Sequence, residues 1–330
     1  MKRVLLLLVF VLAALLPAIA QDGLLGKVDR RLENRKMRAR VDSAYIGLPQ
    51  TRWKVKTSPQ VEVNGFGVVH LDGGEGVQLQ MNSSPAYAEG FAVAWHNLEV
   101  GFSVNPAWFI PRLKNKDQTY SFSMCGNRFG LTAKLRSTTT MQGTMTSFPD
   151  STVVRIPQGS CYDFSADFDA YYAFNGREFS FPAVFTQSQI QKKSAGSPFL
   201  SLSVRNGVTV LEMIPELFDE TMTLTTNMLA VGGGYGHNFV TPHRWLLHVS
   251  AMANAVLLKD NTMKIGAVSS ELTDILTDFI YTFQWAVLRT SDRWFYGANS
   301  TVRLMTTGRQ ERYLFGNSNS NLRLLIGAYF

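Results

Sequence analysis

The sequence predicts an all-β protein, an antiparallel transmembrane β-barrel of about 12 strands within a range of roughly 10–14, preceded by a short helix or tail. Three observations carry this. Asn321–Phe330 alternates without a break: Phe330, Ala328, Ile326, Leu324 and Leu322 share one face, and Tyr329, Gly327, Leu325, Arg323 and Asn321 share the other. That period of two belongs to a strand between unlike environments, and ten residues is about the length a tilted strand needs to cross a membrane. An export signal opens the chain, and no later stretch approaches 18 consecutive apolar residues. Between the two ends, alternating segments terminate in aromatics, and the chain carries 22 Phe, 6 Trp and 11 Tyr.

Residues 1–20 read as a signal peptide. Lys2 and Arg3 precede the apolar run Val4–Leu16, and Ala18-Ile19-Ala20 offers a cleavage site before Gln21. Gln21 rather than Cys excludes the lipoprotein pattern. An exported chain without a helical span is either a soluble β-protein or a barrel. Residues 21–58 form a basic segment in which Lys27, Arg30, Arg31, Arg35, Lys36, Arg38 and Arg40 outnumber Asp29 and Glu33. Leu24, Leu25, Val28 and Leu32 recur at helical spacing, which suits a periplasmic helix or tail, or a helix that plugs the barrel or lies on the membrane.

The barrel is expected over 59–330. Val77–Asn82, Leu98–Val104, Tyr162–Tyr172 and Leu200–Arg205 alternate cleanly. Further strands are expected near 59–70, 86–96, 119–136, 177–187, 221–236, 244–258, 274–289 and 294–305. The strand near 119–136 is the one whose division is least clear, and 137–159 reads as a long connection. Asn175-Gly176 is the strongest turn signal; Asp72-Gly-Gly74, His96-Asn97 and Gly126-Asn127 are weaker. Trp245, Tyr281, Trp285, Trp294, Phe295 and Tyr296 suit interfacial girdles. An aromatic final residue, Phe330, is read as a recognition point for the barrel-assembly machinery.

Three stretches carry a family resemblance: Asp42–Ile46 with Pro49, Trp53 and Val55; Tyr171–Gly176 with Phe179–Ala183; and Gln191-Lys-Lys-Ser-Ala-Gly-Ser197. They resemble uncharacterised outer-membrane proteins of the Bacteroidota, grouped as a domain of unknown function. The resemblance implies an outer-membrane barrel and supplies no activity, substrate or catalytic residues; a barrel so placed is expected to contact outer-membrane lipid and lipopolysaccharide.

Chemistry is sparse. No G-x-S-x-G, H-E-x-x-H or P-loop occurs, no metal, cofactor or nucleic-acid site is expected, and Gly232-Gly-Gly-Tyr-Gly236 reads as a close-packed strand. Cys125 and Cys161 are either a disulfide or two buried thiols. His248 and Ser250, at i and i+2 on one strand, point the same way and form the single candidate catalytic pair; Glu271 or Asp278 is the candidate third member. Asp163, Asp167 and Asp169 form an acidic row facing the lumen if Phe164 and Phe168 face lipid. Arg205 and Arg323 are expected opposite it, with Arg289 and Arg303 as further candidates. Such rows either constrict a channel or fill a closed barrel. Lys192, Lys193, Ser194 and Ser197 form a polar segment suited to a solvated loop or to phosphate or a partner protein. The function expected is a non-enzymatic barrel serving as a porin-like channel, a small-ligand transporter or a structural element; a barrel-wall acyl hydrolase is the alternative.

Overall fold

The computed structural model describes residues 41–49, 51, 53–72, 75–83, 85–95, 98–104, 117–212, 220–271, 278–310 and 313–330. The expected signal peptide and cleavage site, the expected helix of the basic segment and the turn residues 73–74 and 96–97 lie outside them. The described strands are β1 (Ile46–Gly47), β2 (Trp53–Asp72), β3 (Glu75–Ser83), β4 (Ala86–Trp95), β5 (Leu98–Val104), β6 (Gln118–Cys125), β7 (Phe129–Phe148), β8 (Val153–Ala173), β9 (Ile190–Gln191), β10 (Ala195–Leu211), β11 (Met222–Val240), β12 (Trp245–Ile265), β13 (Val268–Glu271), β14 (Phe279–Thr290), β15 (Trp294–Gln310) and β16 (Tyr313–Tyr329), with one helical turn, α1 (Pro182–Phe185).

Antiparallel pairing runs β2–β4–β5–β6–β7–β8–β10–β11–β12–β14–β15–β16 and returns from β16 to β2, a closed barrel of 12 strands. Closure leaves no sheet edge along this ring. At the seam, Trp53 N donates to Phe330 O (3.2 Å) and Phe330 N donates to Trp53 O (3.1 Å). This marks the near end; the opposite rim is the far end. The first barrel strand begins at Trp53, six residues before the expected 59.

Several strands have 17–21 residues, about twice the roughly 9–11 a membrane crossing needs. Others are short, and their distribution divides the barrel. β5 and β6 pair only with one another and with the near halves of β4 and β7. In the far half β3 takes their place, pairing β2 on one edge and β7 from Met141 to Phe148 on the other. The switch coincides with a bulge in β7 between Thr138 and Met141. Asp117, at the start of β6, receives hydrogen bonds there from Thr139 N (2.8 Å) and Thr140 Oγ1 (2.9 Å). Bulges of this kind re-aim side chains, and here the inward parity changes from Thr138 to Met141.

The two halves bury opposite chemistries. In the near half the outer face is apolar: on β16, Leu322, Leu324 and Ile326 are 44, 56 and 49% exposed. Phe164, Leu200, Tyr235, Leu247, Val249 and Phe283 extend the belt. The inner face carries Glu62, Arg136, Asp167, Arg205, Asn254 and Asn319. In the far half the interior is apolar, packed by Phe66, Leu79, Met81, Met141, Met145, Ile156 and their neighbours. Its outer face shows exposed Gln78, Gln80, Asn82, Gln142, Asp260 and Lys264. Exposed Leu257 and Leu258, at the bulge where β12 slips against β11, lie at the border between the halves, and Val153, Val268 and Leu314 are apolar exceptions in the far half.

Four element-level expectations change. Residues 137–159 are strand rather than connection, since β7 and β8 run through them to a turn at 149–152. The 119–136 segment is two strands divided at Gly126–Arg128, where Gly126 N donates to Phe129 O (2.9 Å). The 177–187 segment is not a strand: it turns into the lumen, and Pro182 starts α1 there. Phe295 is not a girdle residue, because it is 1% exposed and packs inward on Tyr329 at 5.0 Å between ring centroids. Trp285, Trp294 and Tyr296 do face outward.

Candidate functional site

The lumen of the near half is built in layers. The β8–β10 connection, 174–194, supplies the lowest one. Phe179, Ser180, Ala183 and Val184 are 0–2% exposed, so this segment is a plug rather than a surface loop. Its side chains pack on Leu246, Leu288, Leu325 and Tyr329 from the wall. Its carbonyls find donors there: Lys54 Nζ donates to Thr186 O (2.7 Å), Lys56 Nζ to Phe185 O (3.1 Å) and Tyr329 Oη to Gln187 O (2.9 Å). Gln189 donates to Asn127 in the β6–β7 turn. Pairing of β1 with β9 finishes the plug from below. A connection buried in this way is stable only because its backbone polar groups are satisfied by the wall.

The pair expected from sequence, His248 and Ser250, does meet: His248 Nε2 lies 3.0 Å from Ser250 Oγ. Neither Glu271 nor Asp278 is the third member, since Asp278 pairs with Lys259 (2.8 Å) and Glu271 lies on β13 at the far end. That place is held by Asn238 of β11, directly opposite His248, with Oδ1 2.7 Å from Nδ1. Asn238 spends its amide hydrogens on Ser180 O and Gln191 Oε1, both at 2.9 Å, so its oxygen must accept. For a neutral imidazole this places the proton on Nδ1 and leaves Nε2 to accept from Ser250. The group is enclosed: Asn238, His248 and Ser250 are 0, 1 and 3% exposed, and the plug rings Phe179, Phe181 and Phe185 stand 6.1, 5.7 and 5.5 Å from the imidazole.

Above the plug lies a cavity of about 150 Å³ and above that a charged layer. Alternation of β8 puts Asp163 and Asp167 inside while Phe164 is outside, as expected. Asp169 also faces in, bonded to Ser203 Oγ (2.7 Å) and Arg303 Nη2 (2.5 Å). Arg205 Nε and Arg303 Nη1 stand 3.7 and 3.8 Å from Asp167. Arg136 bridges to Glu62 at 2.8 Å and reaches Asp167 at 3.8 Å. Arg323 lines the cavity. Arg289 does not join this layer; it lies over the Trp245 ring at 5.8 Å at the near end, where Nη1 donates to Tyr296 Oη (3.3 Å). Glu62, Lys134 and Arg136 were missed by sequence reading, although the parity of β2 and β7 was available to find them.

The Lys192–Ser197 segment does not act as one loop. Lys192 Nζ donates to Ser43 O (3.0 Å), Lys193 lies over the Tyr45 ring at 5.4 Å, and Ser194 Oγ accepts from Val240 N (2.9 Å). Ser197 is already within β10 and fully buried, accepting from Asn175 N (3.0 Å). Cys125 and Cys161 are buried free thiols. Among the described residues no cluster of three or more His, Cys, Asp and Glu could hold a metal.

A family model described as a domain of unknown function (DUF4421) matches residues 40–330. No curated protein matches the chain. Among solved structures, the outer membrane protease OmpT from Escherichia coli is 8% identical, over 86% of this chain and 97% of that one, with a TM-score of 0.43. The translocator domain of the autotransporter NalP from Neisseria meningitidis is 10% identical over 92% and 97%, at 0.34. The toluene transporter TodX from P. putida is 8% identical over 86% and 91%, at 0.27.

Proposed function

The chain belongs to the DUF4421 family, and from that premise we propose that it is a plugged bacterial outer-membrane barrel that holds a small polar ligand instead of conducting freely. The carrying observation is the layered lumen: plug, polar cavity, charged layer and apolar far core succeed one another on the axis. The near half supplies the membrane span. Its apolar belt suits the roughly 25 Å band of such barrels. Charges like Arg136 and Asp167 are accommodated because they face one another across the lumen rather than lipid. The near end then faces the periplasm, and its connections other than the plug are short.

Two measurements test this. Protein in washed outer membranes stays bound through carbonate and urea and is released by detergent; release without detergent sinks the barrel placement. In planar bilayers the intact protein is silent, and excising plug residues 178–189 opens ion conductance. A conducting intact protein contradicts the closed reading.

A second reading, acyl hydrolysis at Ser250, has one observation behind it: Asn238 fixes the His248 tautomer that accepts a proton from Ser250. Three plug rings cover the pair, so hydrolysis requires the plug to leave. Ester hydrolysis by the plug-deleted protein, abolished by Ser250→Ala, supports this reading. Equal rates in both variants, or no hydrolysis, reduce the triad to a latch for the plug.

A further inference from the structure

We infer that the cavity between plug and charged layer is a binding site for a small divalent oxoanion of the phosphate and sulfate class. The inference rests on the closed-barrel reading for its ligand-holding role, while the site itself follows from charge and space. Six cations of the cavity wall and the charged layer enter the balance: Lys56, Lys134, Arg136, Arg205, Arg303 and Arg323; Lys54, toward the plug, is engaged with Thr186 O. Four acids answer them. Glu99 takes Lys56 (2.7 Å), Glu62 takes Arg136 (2.8 Å), Asp169 takes Arg303 (2.5 Å), and Asp167 is shared by Arg136, Arg205 and Arg303 at 3.7–3.8 Å. Lys134 and Arg323 remain without an ion pair among the described residues, and both line the cavity. With the Asn321 amide oxygen turned toward it, Arg323 Nε and Nη2 lie 3.1 Å away, while Glu62 and Glu99 attract it from beyond ion-pair distance.

Like charges facing one cavity inside a barrel are screened less than on a surface, so an anion between them is favoured. A dianion matches the two cations that lack an ion pair. The rest of the wall is furnished for oxygen ligands, with Ser121, Ser123, Thr132, Ser201 and Thr301 hydroxyls facing the same space. A volume of about 150 Å³ admits a tetrahedral oxoanion with a few waters. Spherical chloride would leave the hydroxyl row unused, and one monocarboxylate would leave one charge uncompensated.

Titration calorimetry of the full-length protein in detergent, equilibrated for a day at constant ionic strength so that the plug can admit ligand, tests the site. Sodium phosphate and sodium sulfate bind saturably at one site, about tenfold or more tighter than acetate or chloride, as expected for charge-assisted bonds to two cations. Lys134→Gln and Arg323→Gln each weaken phosphate by about tenfold or more, while Lys134→Arg retains it. Heat-modifiable migration verifies that every variant is folded. Methyl phosphate separates the ligand sources: affinity equal to phosphate points to a phosphomonoester headgroup, and exclusion of the ester points to the free ion. Absence of saturable binding in the folded protein, or binding unchanged by both glutamine substitutions, overturns the proposal. Conductance of the intact barrel would count against the closed reading alone, because the titration reads the cavity directly.

Discussion

The two halves of this barrel use the same strands in opposite senses. Along β16, the near residues Leu322, Leu324 and Ile326 face outward and Arg323 faces in; at the far end Phe315 faces in. Along β12, Leu247 and Val249 are outside in the near half, while Asp260 and Lys264 are outside in the far half. A single period-two pattern therefore serves two solvents. On the proposed placement the near half has lipid outside and buries charge, while the far half has water outside and buries methionine, as a soluble barrel does. Bulges in β7 and between β11 and β12 lie at the border and shift inward parity by one there, whereas β16 crosses it with Arg323 and Phe315 at one parity.

This comparison can be broken most severely from within the far core. Phe66 is 6% exposed and sits among Leu79, Met81 and Phe315. Phe66→Ala should cost about 3–5 kcal/mol of far-half stability. Hydrogen exchange by mass spectrometry in detergent should show β3 and the far ends of β7 and β8 losing protection while the near ring keeps it. Uniform loss in both halves would mean that the barrel unfolds as one unit and that the border has no energetic content.

Much of the near half is legible in sequence because an apolar outer face and a charged inner one enforce strict alternation. Along Tyr162–Tyr172 the alternation places Asp163 and Asp167 inward, and the outward face of 322–330 follows the same rule. The far half was harder. Residues 137–159 carry Thr, Ser, Gln and Met in a pattern without the apolar outer face of a membrane strand, so they read as a connection. Their outward polarity is what water contact requires. The plug is illegible for a related reason: Phe179, Phe181 and Phe185 alternate as a strand would, but they pack on His248 and on Phe199 of the wall instead of facing outward. For the triad, His248 and Ser250 are a local signal, whereas Asn238 is brought opposite by the β11–β12 register, which no local spacing encodes.

The near half makes a prediction of its own. Leu324 is 56% exposed on the apolar belt. Leu324→Arg should destabilise the protein refolded into lipid vesicles by about 2–4 kcal/mol if the position lies near the midplane, falling toward the interfaces. Urea titration of tryptophan fluorescence reads the loss. The same variant should lose less in detergent micelles, where an arginine side chain reaches water easily. Equal losses in both media would place Leu324 against protein or water rather than bilayer.

The smallest effect is the most discriminating one. Gln80 lies on β3, between β2 and β7, and its side chain is exposed on the outer face of the far half. If water bathes that face, Gln80→Arg should change stability in vesicles by no more than about 0.5 kcal/mol, the range of an ordinary surface substitution. Like Leu324→Arg, it adds a cation to an outward position of a paired strand, so strand propensity and added bulk are broadly matched. The difference between the two variants then measures the surroundings of the wall. A cost at Gln80 comparable with that at Leu324 would put the far half in lipid too. The glutamines and asparagines on its outside would then need partners that the bilayer cannot supply, and the division of the barrel into two solvents would fail.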